Sequence, residues 1–120
     1  MIKILRSFQY AAKGLLYAFR SQRNLQIHGI ISLAVVVAGW FFSIPASEWL
    51  AVFLCIGLVM GLELMNTAVE HLLDFIHSDQ HPAVGRIKDI AAAAVAIAAL
   101  AVAGVGLVIF PKYFVSLWHA

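Results

Sequence analysis

The chain has 120 residues, 63% of them hydrophobic and only 12% charged, with a mean hydropathy of +0.95. That charged share is about half of what a soluble domain carries, and the apolar residues fall in runs long enough to cross a bilayer, which takes about 20 residues. Composition therefore excludes an ordinary soluble domain and predicts one integral-membrane, all-α domain spanning 1–120.

The first 22 residues carry Lys3, Arg6, Lys13 and Arg20 and no acid. Ile4, Leu5, Phe8, Ala12, Leu15, Leu16 and Phe19 recur at helical spacing opposite them. This pattern predicts a helix lying on the membrane surface, its basic face toward water and headgroups, rather than a nucleic-acid-binding stripe. A first span follows over 25–44. In the turn after it, Pro45 is expected to end the helix and Ser47 to cap the next. Cys55, the only cysteine, sits in mid-run and reads as an inert buried thiol.

A second span covers 49–76, then a polar linker from His77 to Pro82, then a third span over 84–110. The third is rich in Ala, with Gly104 and Gly106, which suits close helix packing. Pro111 and Lys112 are expected to end it, with Trp118 as an interfacial anchor. Five basic residues precede the first span and none lies in the first loop, so the positive-inside rule predicts a cytoplasmic N-terminus.

The most informative stretch runs from Glu63 to Asp74. Glu63, Asn66, Glu70 and Asp74 are spaced by three, four and four residues, which puts them within roughly 80° on one helix face. They continue a helix that is uncharged from Trp49 to Leu62. An ionisable group in such a helix is costly and by default marks function. With the span entering near Trp49, Glu63 lies roughly 21 Å in and Glu70 roughly 31 Å in. Gln22, Arg23 and Asn24, and Lys88 and Asp89, open their own helices at about that level.

Carboxylates gathered there can hold Mg²⁺ and accept a hydroxyl proton, and Lys88 can meet a phosphate. The sequence has no GxxxxGK[ST] loop, no GxGxxG and no protein-kinase signature. From spacing alone, an ion or proton pathway through Glu63 and Glu70 fits as well as phosphoryl transfer. His28 is expected to meet a neighbouring helix rather than a metal.

Glu63-x-x-Asn66-Thr67-Ala68-x-Glu70-x-x-x-Asp74, followed by Gly85-Arg86-x-Lys88-Asp89, resembles the signature of the small bacterial integral-membrane lipid kinases, the prokaryotic diacylglycerol and undecaprenol kinases. The likeness covers nearly the whole chain. Arg23-Asn24-Leu25-Gln26-Ile27-His28 and His81-Pro82 resemble the undecaprenol branch more. The resemblance implies a homotrimer in the bacterial plasma membrane that transfers the ATP γ-phosphate to a lipid alcohol with Mg²⁺. It implies Glu63 as catalytic base and Glu70 as metal ligand, with Asn66 and Asp74 in support. Tyr10, Asp79, Gln80, His81, Lys88 and Asp89 would serve the nucleotide. At one metal position the family usually has Glu where this chain has Gln22; an amide brings an oxygen but no charge. A weakened or silent relative is the alternative reading at that position.

Overall fold

The computed structural model describes residues 1–120 as five helices. α1 spans Ile2–Ser21, α2 Arg23–Phe42, α3 Ala46–Ile76, α4 Pro82–Ile109 and α5 Pro111–Trp118. α2, α3 and the α4–α5 pair are each long and apolar enough to cross a membrane. The all-α membrane architecture expected from composition is thus the one that forms.

Only 12 of the 120 residues are buried, so most of the apolar side chains face outward. Trp40, Leu54, Leu100, Leu107 and Val108 are each at least 74% exposed. A water-soluble protein does not present such a surface, whereas lipid solvates it at no cost. The molecule measures 58 × 42 × 21 Å. The last dimension is about two helix diameters, so the helices form a slab and enclose no large core.

Single residues make the breaks. α1 ends at Gln22, which turns extended (φ −113°, ψ 113°) and passes the chain straight into α2. Gln26 ties the two helices by donating from Nε2 to the Phe19 carbonyl at 2.7 Å. α2 ends at Ser43, in the left-handed region at φ 53°. Ser43 N–H donates to the Trp40 carbonyl and Ile44 N–H to that of Gly39, which is the Schellman pattern that satisfies the last carbonyls of a helix.

Here the structure corrects the sequence expectation. Ser43, not Pro45, stops α2, because the left-handed turn already closes the backbone bonds. Pro45 is instead the N-cap residue of α3, and Ser47 makes no capping bond. Chain direction also continues past Pro111. A proline fits the first position of a helix, where its missing N–H costs nothing, so α5 starts there rather than α4 simply ending.

α3 is the central element, packed against α4 on one side and α2 on the other. Its 31 residues give a length of roughly 46 Å, well beyond a hydrocarbon layer of about 30 Å. A helix this long tilts or leaves the hydrocarbon at an end, and three of its four acids, Glu63, Glu70 and Asp74, lie in its C-terminal half.

Candidate active site

Along α3 the polar stripe changes environment turn by turn. Glu63 is 4% exposed, Asn66 9% and Thr67 6%. Glu70 is half-buried and Asp74 is exposed. One helix face therefore carries side chains from the protein interior out to water. The Thr67 hydroxyl donates to the Glu63 carbonyl at 2.9 Å, which pins the local backbone. Asn66 donates from Nδ2 to Glu70 Oε1 at 3.4 Å. Its Oδ1 is buried with no partner, and such an oxygen carries an unrecovered desolvation cost.

Glu63 meets α2. His28 Nε2 lies 3.6 Å from Glu63 Oε1, so His28 does face a neighbouring helix. Farther along, Lys88 on α4 donates to Asp74 Oδ1 at 2.7 Å and joins the two helices at the start of the linker. His81 caps α4, its Nδ1 accepting from the Ala83 N–H at 3.0 Å. Pro82 then occupies the first turn.

These contacts shape an open pocket of about 560 Å³ whose ten lining residues include one hydrophobic side chain. Nine of the ten are not hydrophobic, a lining that suits water better than lipid. The pocket gathers Asp74, Asp79, Gln80, His81 and Lys88. Tyr10 and Asp89 lie outside it, both exposed, and so does Gln22, at the α1–α2 break. No three His, Cys, Asp or Glu side chains cluster to hold an ion by themselves.

Two lining residues with polar side chains, His77 and Ser78, are absent from the site residues expected from sequence, although the polar run from His77 to Pro82 contains both. His77 packs edge-on against His81, ring centroids 5.5 Å apart. Tyr17 packs against His71 at 5.8 Å and links α1 to α3 one residue beyond Glu70.

Fold and site together define a small polytopic membrane protein with a buried carboxylate, Glu63, on α3 and an open pocket, which Glu63, Asn66 and Glu70 do not line, at the end of the same helix. Residues 9–110 match the family model described as prokaryotic diacylglycerol kinase. An undecaprenol kinase from Bacillus subtilis is 39% identical over 92% of this chain and 90% of its own. A diacylglycerol kinase from Synechocystis is 40% identical over 86% of this chain and 59% of its own. That of Escherichia coli K12 is 35% identical over 80% and 79%. The chain belongs to the prokaryotic diacylglycerol kinase family and is a membrane lipid kinase.

Proposed function

We propose that this kinase transfers the γ-phosphate of ATP to the hydroxyl of undecaprenol, with diacylglycerol as the second candidate acceptor. The reaction takes place at the cytoplasmic face of the bacterial plasma membrane, in a homotrimer with cytoplasmic N-termini. The observation that carries this reading is the gradient along α3: a carboxylate buried at Glu63, then an open pocket lined mostly by polar residues from Asp74 onward. A lipid hydroxyl can approach the first while a nucleotide enters the second. The choice of undecaprenol rests on the longer match, 92% of this chain, to the Bacillus subtilis undecaprenol kinase.

Glu63 takes the hydroxyl proton as the oxygen attacks the γ-phosphorus. The new O–P bond forms while the bond to the β,γ-bridging oxygen breaks, and ADP leaves with that electron pair. A positioned base of this kind contributes about 10²- to 10⁴-fold. Lys88, already oriented by Asp74, turns its ammonium to the phosphates. Asp79, Gln80 and His81 border the nucleotide, with Tyr10 and Asp89 contributing at its edge.

The donor set suits Mg²⁺, which prefers oxygen and usually takes one or two carboxylates plus phosphates and water. Glu70, the unpartnered Asn66 Oδ1 beside it and the Gln22 amide would hold it. Bound with ATP, the ion screens the charge of the phosphates.

The test is transfer of labelled γ-phosphate from ATP-Mg²⁺ in detergent micelles, with undecaprenol and diacylglycerol offered separately. Labelled undecaprenyl phosphate is expected. Faster labelling of diacylglycerol would reverse the acceptor, and ion flux in proteoliposomes without any lipid product would replace the kinase reading.

A further inference from the structure

Glu63 is the most buried carboxylate in the chain, yet no Lys or Arg reaches it. Lys88 is engaged by Asp74 and Lys112 by Glu48, and the one basic side chain within 4.0 Å of Glu63 is His28. A buried carboxylate with no cation beside it needs a hydrogen-bond donor to hold it in place. We propose that His28 is a positioning residue for phosphoryl transfer: its imidazole N–H holds Glu63 Oε1, leaving Oε2 for the acceptor hydroxyl. The inference rests on the role given above to Glu63.

Both side chains stand on fixed backbone. Leu25, one turn before His28, is fully buried. Gly29, the next residue, lets α1 close in, since a Cβ there would sit 2.9 Å from the Phe19 ring. The Ser32 hydroxyl donates to the His28 carbonyl at 2.7 Å. On α3 the Thr67 bond pins Glu63 in the same way. The 3.6 Å gap is slightly longer than a hydrogen bond, and catalytic contacts commonly tighten when substrate binds.

Little competes for the imidazole. It borders an apolar cavity of about 280 Å³ between α2, α3 and α4, whose α3 and α4 walls are aliphatic or aromatic apart from the Cys55 thiol. A lone carboxylate with no second anchor would swing between rotamers. Misplacement of a reacting group by about 1 Å can cost 10²-fold in rate, so an orienting donor matters more here than its bond energy suggests.

The experiment compares the purified native chain with His28→Leu, His28→Gln and Glu63→Gln. It measures phosphate transfer from ATP-Mg²⁺ to undecaprenol, with diacylglycerol in a parallel arm, and thermal melting of each variant. His28→Leu is expected to lower kcat at least about tenfold while both KM values stay within about twofold. His28→Gln keeps an N–H donor near the same place and is expected to recover most of that loss. A packing role would not separate Gln from Leu in this way. Native kcat in His28→Leu, or a His28→Gln as slow as His28→Leu with an unchanged melting temperature, would overturn the proposal. Full activity in Glu63→Gln would remove the base assignment itself, so the two failures read differently. If His28→Leu does not fold, His28→Gln decides: a folded His28→Gln with kcat near native supports the role, and one with kcat reduced more than about tenfold refutes it.

Discussion

The two ends of the α3 helix are built in opposite ways. Near its start, Glu48 accepts hydrogen bonds from Lys112 Nζ at 2.6 Å and from the Tyr113 hydroxyl. Phe42 stacks on Tyr113 at 5.4 Å and meets Phe114 edge-on at 5.0 Å. Ile44, Val52 and Ile109 form the core beneath them. Near the other end, Asp74–Lys88 is a single exposed pair, Asn66 Oδ1 has no partner and the pocket stands open. The closed end spends its polar groups on one another. The open end keeps them for something that arrives. Separating the two tasks along one helix lets the site stay under-satisfied without loosening the fold, because apolar packing fixes α3 against α4 and the aromatic clasp ties α2 to α5 elsewhere.

Substitutions at the two ends should therefore fail differently. The largest effect is expected from Glu63→Gln. It keeps the shape and removes the proposed base, so kcat should drop by about 10²- to 10⁴-fold with an unchanged melting temperature. A variant that both unfolds and loses activity would mean that Glu63 is structural. Lys88→Met comes next. It removes the charge proposed to face the phosphates, together with the Asp74 pair, and should raise the KM for ATP by on the order of tenfold while the KM for lipid holds. Equal changes in both would show that the pocket does not separate nucleotide from acceptor. At the closed end, Gly39→Leu should act on stability alone. Even a Cβ at Gly39 would lie 2.8 Å from the Trp49 ring and 3.1 Å from Ile44 Cδ1. Overpacking of this kind costs about 1–3 kcal/mol, visible as a lower melting temperature at native KM for ATP; an unchanged melting temperature would show that the ring moves aside freely.

The membrane helices were legible in the sequence because uninterrupted apolar runs have few other readings. The face shared by Glu63, Asn66, Glu70 and Asp74 was legible too, since residues on one helix are related by fixed geometry. What lay out of reach was every relation between helices. α2 is apolar nearly all round, so no stripe says which face meets α3, and the sequence could place His28 against a neighbour without naming Glu63. End signals misled for a related reason. Pro45 and Pro111 each fit either the stop or the start of a helix, and only the backbone decides which. His81 as a cap had no sequence signal, because imidazole is not among the usual capping groups.

Gln22 is where the contrast between the ends can be sharpened by a gain. It sits at the one-residue break between α1 and α2, half-buried, with its backbone N–H bonded to the Ala18 carbonyl and its own carbonyl accepting from Gln26. The fold thus uses its backbone, while its side chain makes no hydrogen bond within the chain. Gln22→Glu should leave the break intact and add a carboxylate where a Mg²⁺ ligand is proposed. A partly solvated charge pair contributes about 0.2–1 kcal/mol, so the Mg²⁺ concentration giving half-maximal rate should fall by about 1.4- to fivefold. At saturating Mg²⁺ the rates should converge, because the added charge changes binding of the ion and not the base. A Mg²⁺ titration of both proteins at fixed ATP decides this. Coincident curves would place Gln22 outside the metal site. A higher plateau for Gln22→Glu would instead mean that the missing charge limits the chemical step and that the native chain is a slowed member of its family.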